Sequence, residues 1–93
     1  MSTITAEVFV GSDNATGRVD RDTLYAALDA RYPDTGWTVT DAVGSWHGQR
    51  EESVRVVLTD ESVAALTGFL SELRDTLHQE AIAYRVISDL FTV

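Results

Sequence analysis

The chain has 93 residues, which is too short for more than one domain. Of these residues 44% are hydrophobic and 24% are charged, a composition too apolar for a disordered segment. It contains no Cys, which excludes disulfides, cysteine nucleophiles and thiolate metal sites. Its net charge is −8, and all seven basic residues are Arg, so we expect it to repel nucleic acid and anionic membrane surfaces.

The first third of the chain predicts a strand followed by a short helix. Residues 3–10 alternate between apolar and other side chains, as a half-buried strand does, and residues 11–17 have the composition of a loop. Asp20 is in the position of a helix N-cap. Pro33 predicts that this helix ends at about Tyr32.

The middle of the chain predicts a β-hairpin. Trp37–Val43 and Ser53–Leu58 both alternate, and we expect a loop of roughly eight residues between them. Asp41 is in phase with the apolar residues of the first strand. We therefore expect either a bulge that turns Asp41 outward or a functional acid at that position.

A second helix and a last strand complete the pattern. Thr59 or Asp60 is expected to cap a helix of about twenty residues, with acidic residues in its first turn. Its apolar stripe comprises Val63, Leu66, Leu70, Leu73 and Leu77. Ile82, Tyr84 and Val86 then share one face of a strand, which Asp89 is expected to end before a short tail at residues 90–93.

The resulting order, β-α-β-β-α-β, predicts an α+β fold of the ferredoxin-like split βαβ type, with residues 1–93 as one domain. In this topology a four-stranded antiparallel sheet carries both helices on one face. The residues expected to face the helices are Ile4, Ala6, Val8, Val10, Trp37, Val39, Val43, Val54, Val56, Leu58, Ile82, Tyr84 and Val86.

The opposite sheet face is predicted to carry a small charged cluster. Glu7 should lie between Arg55 and Arg85, with Phe9 near them. Because guanidinium groups bind carboxylates and phosphates, this cluster could take a small anionic ligand or form ion pairs between subunits. The remaining interpretation is that Glu7, Arg55 and Arg85 form solvent-exposed ion pairs across the strands and bind nothing. The semi-apolar character of this face favours a homo-oligomer, with a dimer as the expected state.

The second candidate site is the predicted hairpin loop and the nearby rim of the sheet. Its polar and aromatic residues are Trp46, His47, Arg50, Glu52 and Ser53. His47 could act as a general base oriented by Glu52 or Asp41, or it could be solvated while Trp46 packs against the core or a neighbouring subunit.

Three short motifs resemble an uncharacterised group of small bacterial domains. They are the Asp41-Ala42-Val43-Gly44-Ser45-Trp46 turn, the Glu52-Ser53 strand start, and Gln79-Glu80 before the last strand. The resemblance implies a ferredoxin-like fold. It also implies that Trp46, Glu52, Ser53, Gln79 and Glu80 converge at one end of the sheet.

These features favour a non-enzymatic, homo-oligomeric domain that binds protein or a small ligand, as a regulatory, accessory or viral protein. The alternative is a small enzyme without a cofactor, whose pocket lies between paired ferredoxin-like units and in which His47, Asp41 or Tyr84 moves protons. We predict no metal, cofactor, nucleic-acid or membrane partner. The chain has no basic leader or long apolar run, so we expect a cytoplasmic protein.

Overall fold

The computed structural model describes residues 3–87, which form the predicted ferredoxin-like arrangement. The elements are β1 (Ile4–Gly11), α1 (Arg21–Arg31), β2 (Trp37–Trp46), β3 (Gln49–Asp60), α2 (Val63–Thr76) and β4 (Ala83–Ile87). All strand pairs are antiparallel, in the order β2-β3-β1-β4. The predicted strand break at Asp89 and the tail at 90–93 lie outside the described residues.

Helix α1 begins and ends where the sequence predicts. The Asp20 carboxylate accepts a hydrogen bond from the backbone N–H of Thr23 at 3.2 Å, which satisfies a donor that the first turn would otherwise leave unpaired. Tyr32 forms the C-cap, one residue before Pro33. Leu24 and Leu28, one turn apart, are buried against the sheet.

Helix α2 begins later than predicted, and its expected cap was wrong. Strand β3 continues to Asp60, so the N-cap is Ser62, whose hydroxyl accepts from the N–H of Ala65 at 3.0 Å. The helix has 14 residues, and its first turn holds no acidic side chain. Thr59 and Asp60 remain in the strand because they pair with Thr5 and Ile4 of β1.

The C-terminus of α2 is closed by a residue in the left-handed conformation. His78 has a φ of 55°, and the N–H of Gln79 donates to the carbonyl of Arg74 at 2.9 Å. The N–H of His78 donates to the carbonyl of Asp75 at 3.3 Å. This is the double hydrogen-bond pattern of a Schellman cap, with His in the place that Gly usually occupies.

The predicted eight-residue hairpin loop was also wrong. Strands β2 and β3 pair continuously up to Trp46 and Gln49, which leaves a two-residue turn at His47 and Gly48. Both turn residues have positive φ, 50° and 77°, as a type I′ hairpin turn requires. The sequence signal was weak because His, unlike Asn or Asp, is uncommon at the first turn position.

The apolar core lies between the helices and the two central strands. The buried apolar strand residues are Ala6, Val8, Val10, Val54, Val56 and Leu58, all from β1 and β3. Val43, Tyr84 and Val86, which were expected to face the helices, contribute little to the core, since they are 73%, 38% and 44% exposed. All three belong to the edge strands β2 and β4, which have a sheet neighbour on one side only.

Asp41 needs no bulge to reach solvent. Its strand keeps a regular register, with Asp41 opposite Val54, yet the Asp41 side chain is largely exposed. It lies on an edge strand beside the start of α1, where Arg21 pairs with it at 2.9 Å.

Candidate functional site

The sheet face away from the helices carries the predicted charged cluster. We call it the bare face and define it by Thr5, Glu7, Phe9, Arg55, Val57, Arg85 and Ile87. Glu7 lies directly opposite Arg85 in the β1–β4 ladder. On the other side it is opposite Val57 of β3, and Arg55 lies two residues before Val57 on the same face of the sheet. The Nε groups of Arg55 and Arg85 donate to different oxygens of the Glu7 carboxylate.

Glu7 is only 4% exposed, although no other layer of the described chain covers this face. Its pKa is lowered, first by the hydrogen bond from Arg55 and then by the bond from Arg85. The carboxylate is thus held ionised by two guanidinium groups, and the cluster has one surplus positive charge. Thr5 is nearly buried and Phe9 is 39% exposed, so polar and apolar surfaces adjoin on the bare face.

A second group of polar residues lies at the end of the sheet where β1 stops. We call this group the rim: Glu51, Glu52, Ser53, Gln79 and Glu80. Ser53 pairs with Gly11, the last residue of β1, and its hydroxyl donates to the carbonyl of Val10 at 3.2 Å.

Gln79 ties the segment before β4 to this end of β1. Its side-chain amide donates to the carbonyl of Ser12 at 2.9 Å, and its amide oxygen approaches Gly11 so closely that a Cβ there would lie 3.3 Å from it. A cavity of about 220 Å³ opens beside it, lined by Gly11, Ser12, Asn14, Glu51, Gln79, Glu80 and Ala81. These lining residues include two carboxylates and no basic side chain, so the cavity favours a cationic or hydrogen-bonding ligand.

Glu52 lies on the other side of the strand, toward α1. One of its oxygens, Oε1, accepts from the backbone N–H of Val19 and from Nη2 of Arg21, each at 3.1 Å. A shallow cavity of about 370 Å³ adjoins it. All of the rim residues therefore lie at one end of the sheet, but within one chain Glu52 lines a different cavity from Gln79 and Glu80.

The hairpin turn stands apart from the rim. Arg50 is three residues before Ser53, or about 10 Å farther along the strand. His47 and Arg50 are exposed there. His47 and Tyr84 are on separate elements, and Tyr84 lines a cavity between α2 and β4.

A buried polar cluster that the sequence patterns did not reveal lies at the opposite end of the sheet. Asp60 accepts from the hydroxyl of Tyr32 at 2.6 Å, from Nη2 of Arg31 at 3.0 Å, and from the N–H of Glu61 at 2.6 Å. A cavity of about 310 Å³ lies beside it. The alternation in β3 did predict that Asp60 is buried, because Asp60 follows Val56 and Leu58 at intervals of two residues and so lies on the same face of the strand.

No protein-family model matches this chain, and no curated protein matches it. Among solved structures, it is similar to a phage SAM lyase in complex with S-methyl-5′-thioadenosine, with 21% identity, a TM-score of 0.56, and coverage of 98% of this chain and 88% of that one. The apo form of a phage SAM lyase gives 23% identity, a TM-score of 0.59, and coverage of 90% and 78%.

Two further structures share the fold at lower identity. A DUF3240 family protein from Shewanella baltica is 15% identical, with a TM-score of 0.63 and coverage of 100% and 99%. CutA1 from Oryza sativa is 10% identical, with a TM-score of 0.62 and coverage of 98% and 83%. At these identities the likenesses establish the fold. They are also consistent with the resemblance to an uncharacterised family of small domains. In residues 3–87, neither helix is long and apolar enough to span a membrane.

Proposed function

We propose that this protein is a small homo-oligomer, a dimer in its simplest form, whose subunits meet through the bare face and which binds a small ligand at the rim. The observation that supports the oligomer is Glu7, a carboxylate buried under two arginines on a face that no other part of residues 3–87 covers. An ion-pair cluster beside Phe9 and Val57 is suited to a protein contact, because the buried Glu7 carboxylate is already paired with both arginines.

An anionic ligand on the bare face is less well supported than a subunit contact. Both arginines already donate through Nε to Glu7, so an anion would meet guanidinium groups whose positive charge is partly balanced by a carboxylate. We therefore assign the ligand to the rim, where carboxylates of Glu51 and Glu80 line a cavity whose described lining includes no basic side chain.

The acidic rim favours a ligand that carries a positive charge. S-adenosylmethionine is such a molecule, because its sulfonium sulfur is a cation. The likeness to phage SAM lyase covers 98% of this chain, which makes S-adenosylmethionine the first compound to test. S-methyl-5′-thioadenosine, the neutral thioether bound in that neighbour, is the matched uncharged compound.

Sedimentation equilibrium tests the oligomer. The wild type should have a mass of at least two chains of 10.2 kDa, and Phe9→Glu should have the mass of one. Val63→Glu is the matched control: Val63 is 44% exposed, close to the 39% of Phe9, but it lies at the start of α2. A wild type that stays a single chain at high concentration would contradict the subunit contact.

Isothermal titration calorimetry tests the rim. We expect S-adenosylmethionine to bind the wild type, and Glu80→Gln to weaken binding by about tenfold or more, the loss typical of one charged contact. Glu72→Gln, an exposed glutamate of α2, should bind as the wild type does. Equal affinity in all three proteins would exclude Glu80 from the site.

The second candidate function is an enzyme of the same ligand class, as the two phage SAM lyase likenesses suggest. If the carboxylate of the amino-acid chain of S-adenosylmethionine attacks its own γ-carbon, a carbon–oxygen bond forms as the carbon–sulfur bond breaks. The electron pair stays on sulfur as a neutral thioether and the chain leaves as homoserine lactone, so no oxidant, reductant or cofactor is needed. Incubation with S-adenosylmethionine, followed by chromatography, would detect S-methyl-5′-thioadenosine. Binding without this product would support the non-enzymatic function.

A further inference from the structure

We infer that the outer edge of β2 is a second subunit contact, at which two copies of this chain pair β2 with β2 in antiparallel and join their sheets. This contact rests on the proposed bare-face contact, because one pair of edge strands is only marginally stable in water. A bare-face dimer whose two-fold axis runs across the strands presents both β2 edges on the same side. Two such dimers then close into four chains through two edge contacts formed together.

The backbone groups of β2 divide into an inner and an outer set. In an antiparallel hairpin, the residues that flank a two-residue turn bond to each other, and every second pair after them does the same. Trp46 and Gln49 flank the turn, so the even-numbered residues of β2 direct their N–H and C=O groups toward β3. The odd-numbered residues direct these groups outward. Because β2 is the last strand of the sheet in residues 3–87, no neighbouring strand of the chain takes up the outward groups.

This edge lacks the features that usually keep a strand from pairing with another molecule. Protected edges are short, bulged, or interrupted by Pro or Lys. Strand β2 has ten residues in unbroken register with β3 and contains neither Pro nor Lys, and its Val43 is 73% exposed.

The charge at this edge favours a second copy of the chain as the partner. Asp41 is the single charged residue of β2, and Arg21 pairs with it at 2.9 Å. The edge therefore carries little net charge, although the whole chain carries −8. Two copies repel each other less here than over most of their surface.

Asp41 also restricts the register of the pairing. Outward groups must meet outward groups, and the two-fold axes that then pair the most residues pass through Asp41 or Ala42. An axis at Asp41 would place two carboxylates directly opposite each other, which is unfavourable. The axis at Ala42 avoids this and pairs residues 38–46 of the two strands.

This register supports the part of the hairpin that extends past β1. Strand β1 ends opposite Ser53, so beyond that point β2 and β3 form a two-stranded ribbon, which carries Glu51 of the rim cavity. With the axis at Ala42, residues 44–46 of this ribbon pair with residues 38–40 of the partner subunit. The ribbon gains a third strand, and the wall of the proposed ligand site that Glu51 provides is held in place.

Amide hydrogen exchange of the wild type tests the edge directly. The outward amides of Val39, Asp41 and Val43 should exchange within about tenfold of the inward amides of Thr40 and Ala42. A contact through the bare face alone would leave the outward amides open to water. Exchange at the outward amides that is more than about tenfold faster than at the inward ones would therefore overturn the edge pairing.

Sedimentation equilibrium of a proline variant tests the assembly. Val43→Pro removes an outward N–H and spares the bonds to β3, since Pro is tolerated where the N–H of a strand faces away from its neighbour. We expect four chains for the wild type, two for Val43→Pro, and four for Val43→Thr, which keeps the N–H and the branched side chain. The exchange result for the wild type decides the question even if Val43→Pro fails to fold.

The possible failures are distinguishable. A wild type of two chains, or a four-chain assembly that Val43→Pro leaves intact, would overturn the edge contact and leave the bare-face contact standing. A wild type of one chain would contradict the proposed function itself.

An isotope-filtered NOE spectrum of mixed labelled and unlabelled chains tests the register. At the axis, the Cα atoms of Ala42 and of Ala42 of the partner subunit should be about 4.5 Å apart, so their α-hydrogens should give an NOE between chains. NOEs from β2 to β4 of the partner subunit would instead show a head-to-tail contact and overturn the two-fold pairing.

Discussion

The buried hydroxyl of Tyr32 joins the C-terminal end of α1 to the C-terminal end of β3, and removing it tests how strongly these two ends are held together. Tyr32 is almost fully buried and donates to Asp60 at 2.6 Å. Burial, and then the hydrogen bond to Asp60, raise the pKa of the phenol, so it remains a donor at every pH of interest. Tyr32→Phe removes this donor while it keeps the ring.

A hydrogen bond to a charged group contributes about 1.5–3 kcal/mol. Since Asp60 keeps Arg31 and the N–H of Glu61, we expect the free energy of unfolding to fall by about 2 kcal/mol, toward the lower part of that range. For a domain of this size, that loss lowers Tm by about 8–16 °C.

Urea unfolding followed by circular dichroism measures the change, and the m-value should stay constant if the native fold is retained. Tyr84→Phe is the control, because Tyr84 is 38% exposed and lies on the edge strand β4. It should change stability by less than about 0.5 kcal/mol. The same small effect in Tyr32→Phe would show that the Asp60 cluster does not hold α1 to β3.

Three further predictions concern the bare face, the helix cap and the core. Because Arg55 and Arg85 lower the pKa of Glu7, this group stabilises the fold above its ordinary pKa of 4.5 and loses that effect as pH falls further. Urea midpoints should therefore fall more steeply below that pH in the wild type than in Glu7→Gln, and parallel curves would refute the effect. His78→Gly should raise stability by about 0.5–1 kcal/mol, because Gly adopts the left-handed conformation without the cost that His has. A lower Tm would contradict that. Leu66→Ala should cost about 2–5 kcal/mol in urea unfolding, since Leu66 is completely buried, and a loss below 1 kcal/mol would show a poorly packed core.

The fold could be predicted because local signals and topology agree. Asp20 and Pro33 bound α1, and the alternation in β1 and β3 placed the buried valines correctly. With the strand order known, Glu7 had to lie between arginines of the two neighbouring strands. That cluster needed no knowledge of side-chain conformations.

The errors arose where tertiary context overrode a local signal. Thr59 and Asp60 are good helix caps, but the strand ladder with β1 and the hydrogen bonds to Asp60 keep them in β3. The hairpin was assigned a long loop because His47 rarely takes a positive φ. At the rim, the separation of Glu52 from Glu80 depends on side-chain direction on β3, which the short motifs did not specify.

The most direct test of the rim is an NMR titration of the ¹⁵N-labelled protein with S-adenosylmethionine. We expect amide shifts to concentrate at Gly11, Ser12, Glu51 and Glu80, which line the rim cavity. Shifts clustered instead around Tyr32 and Asp60, beside the cavity at the other end of the sheet, or no saturable shifts at all, would contradict ligand binding at the rim.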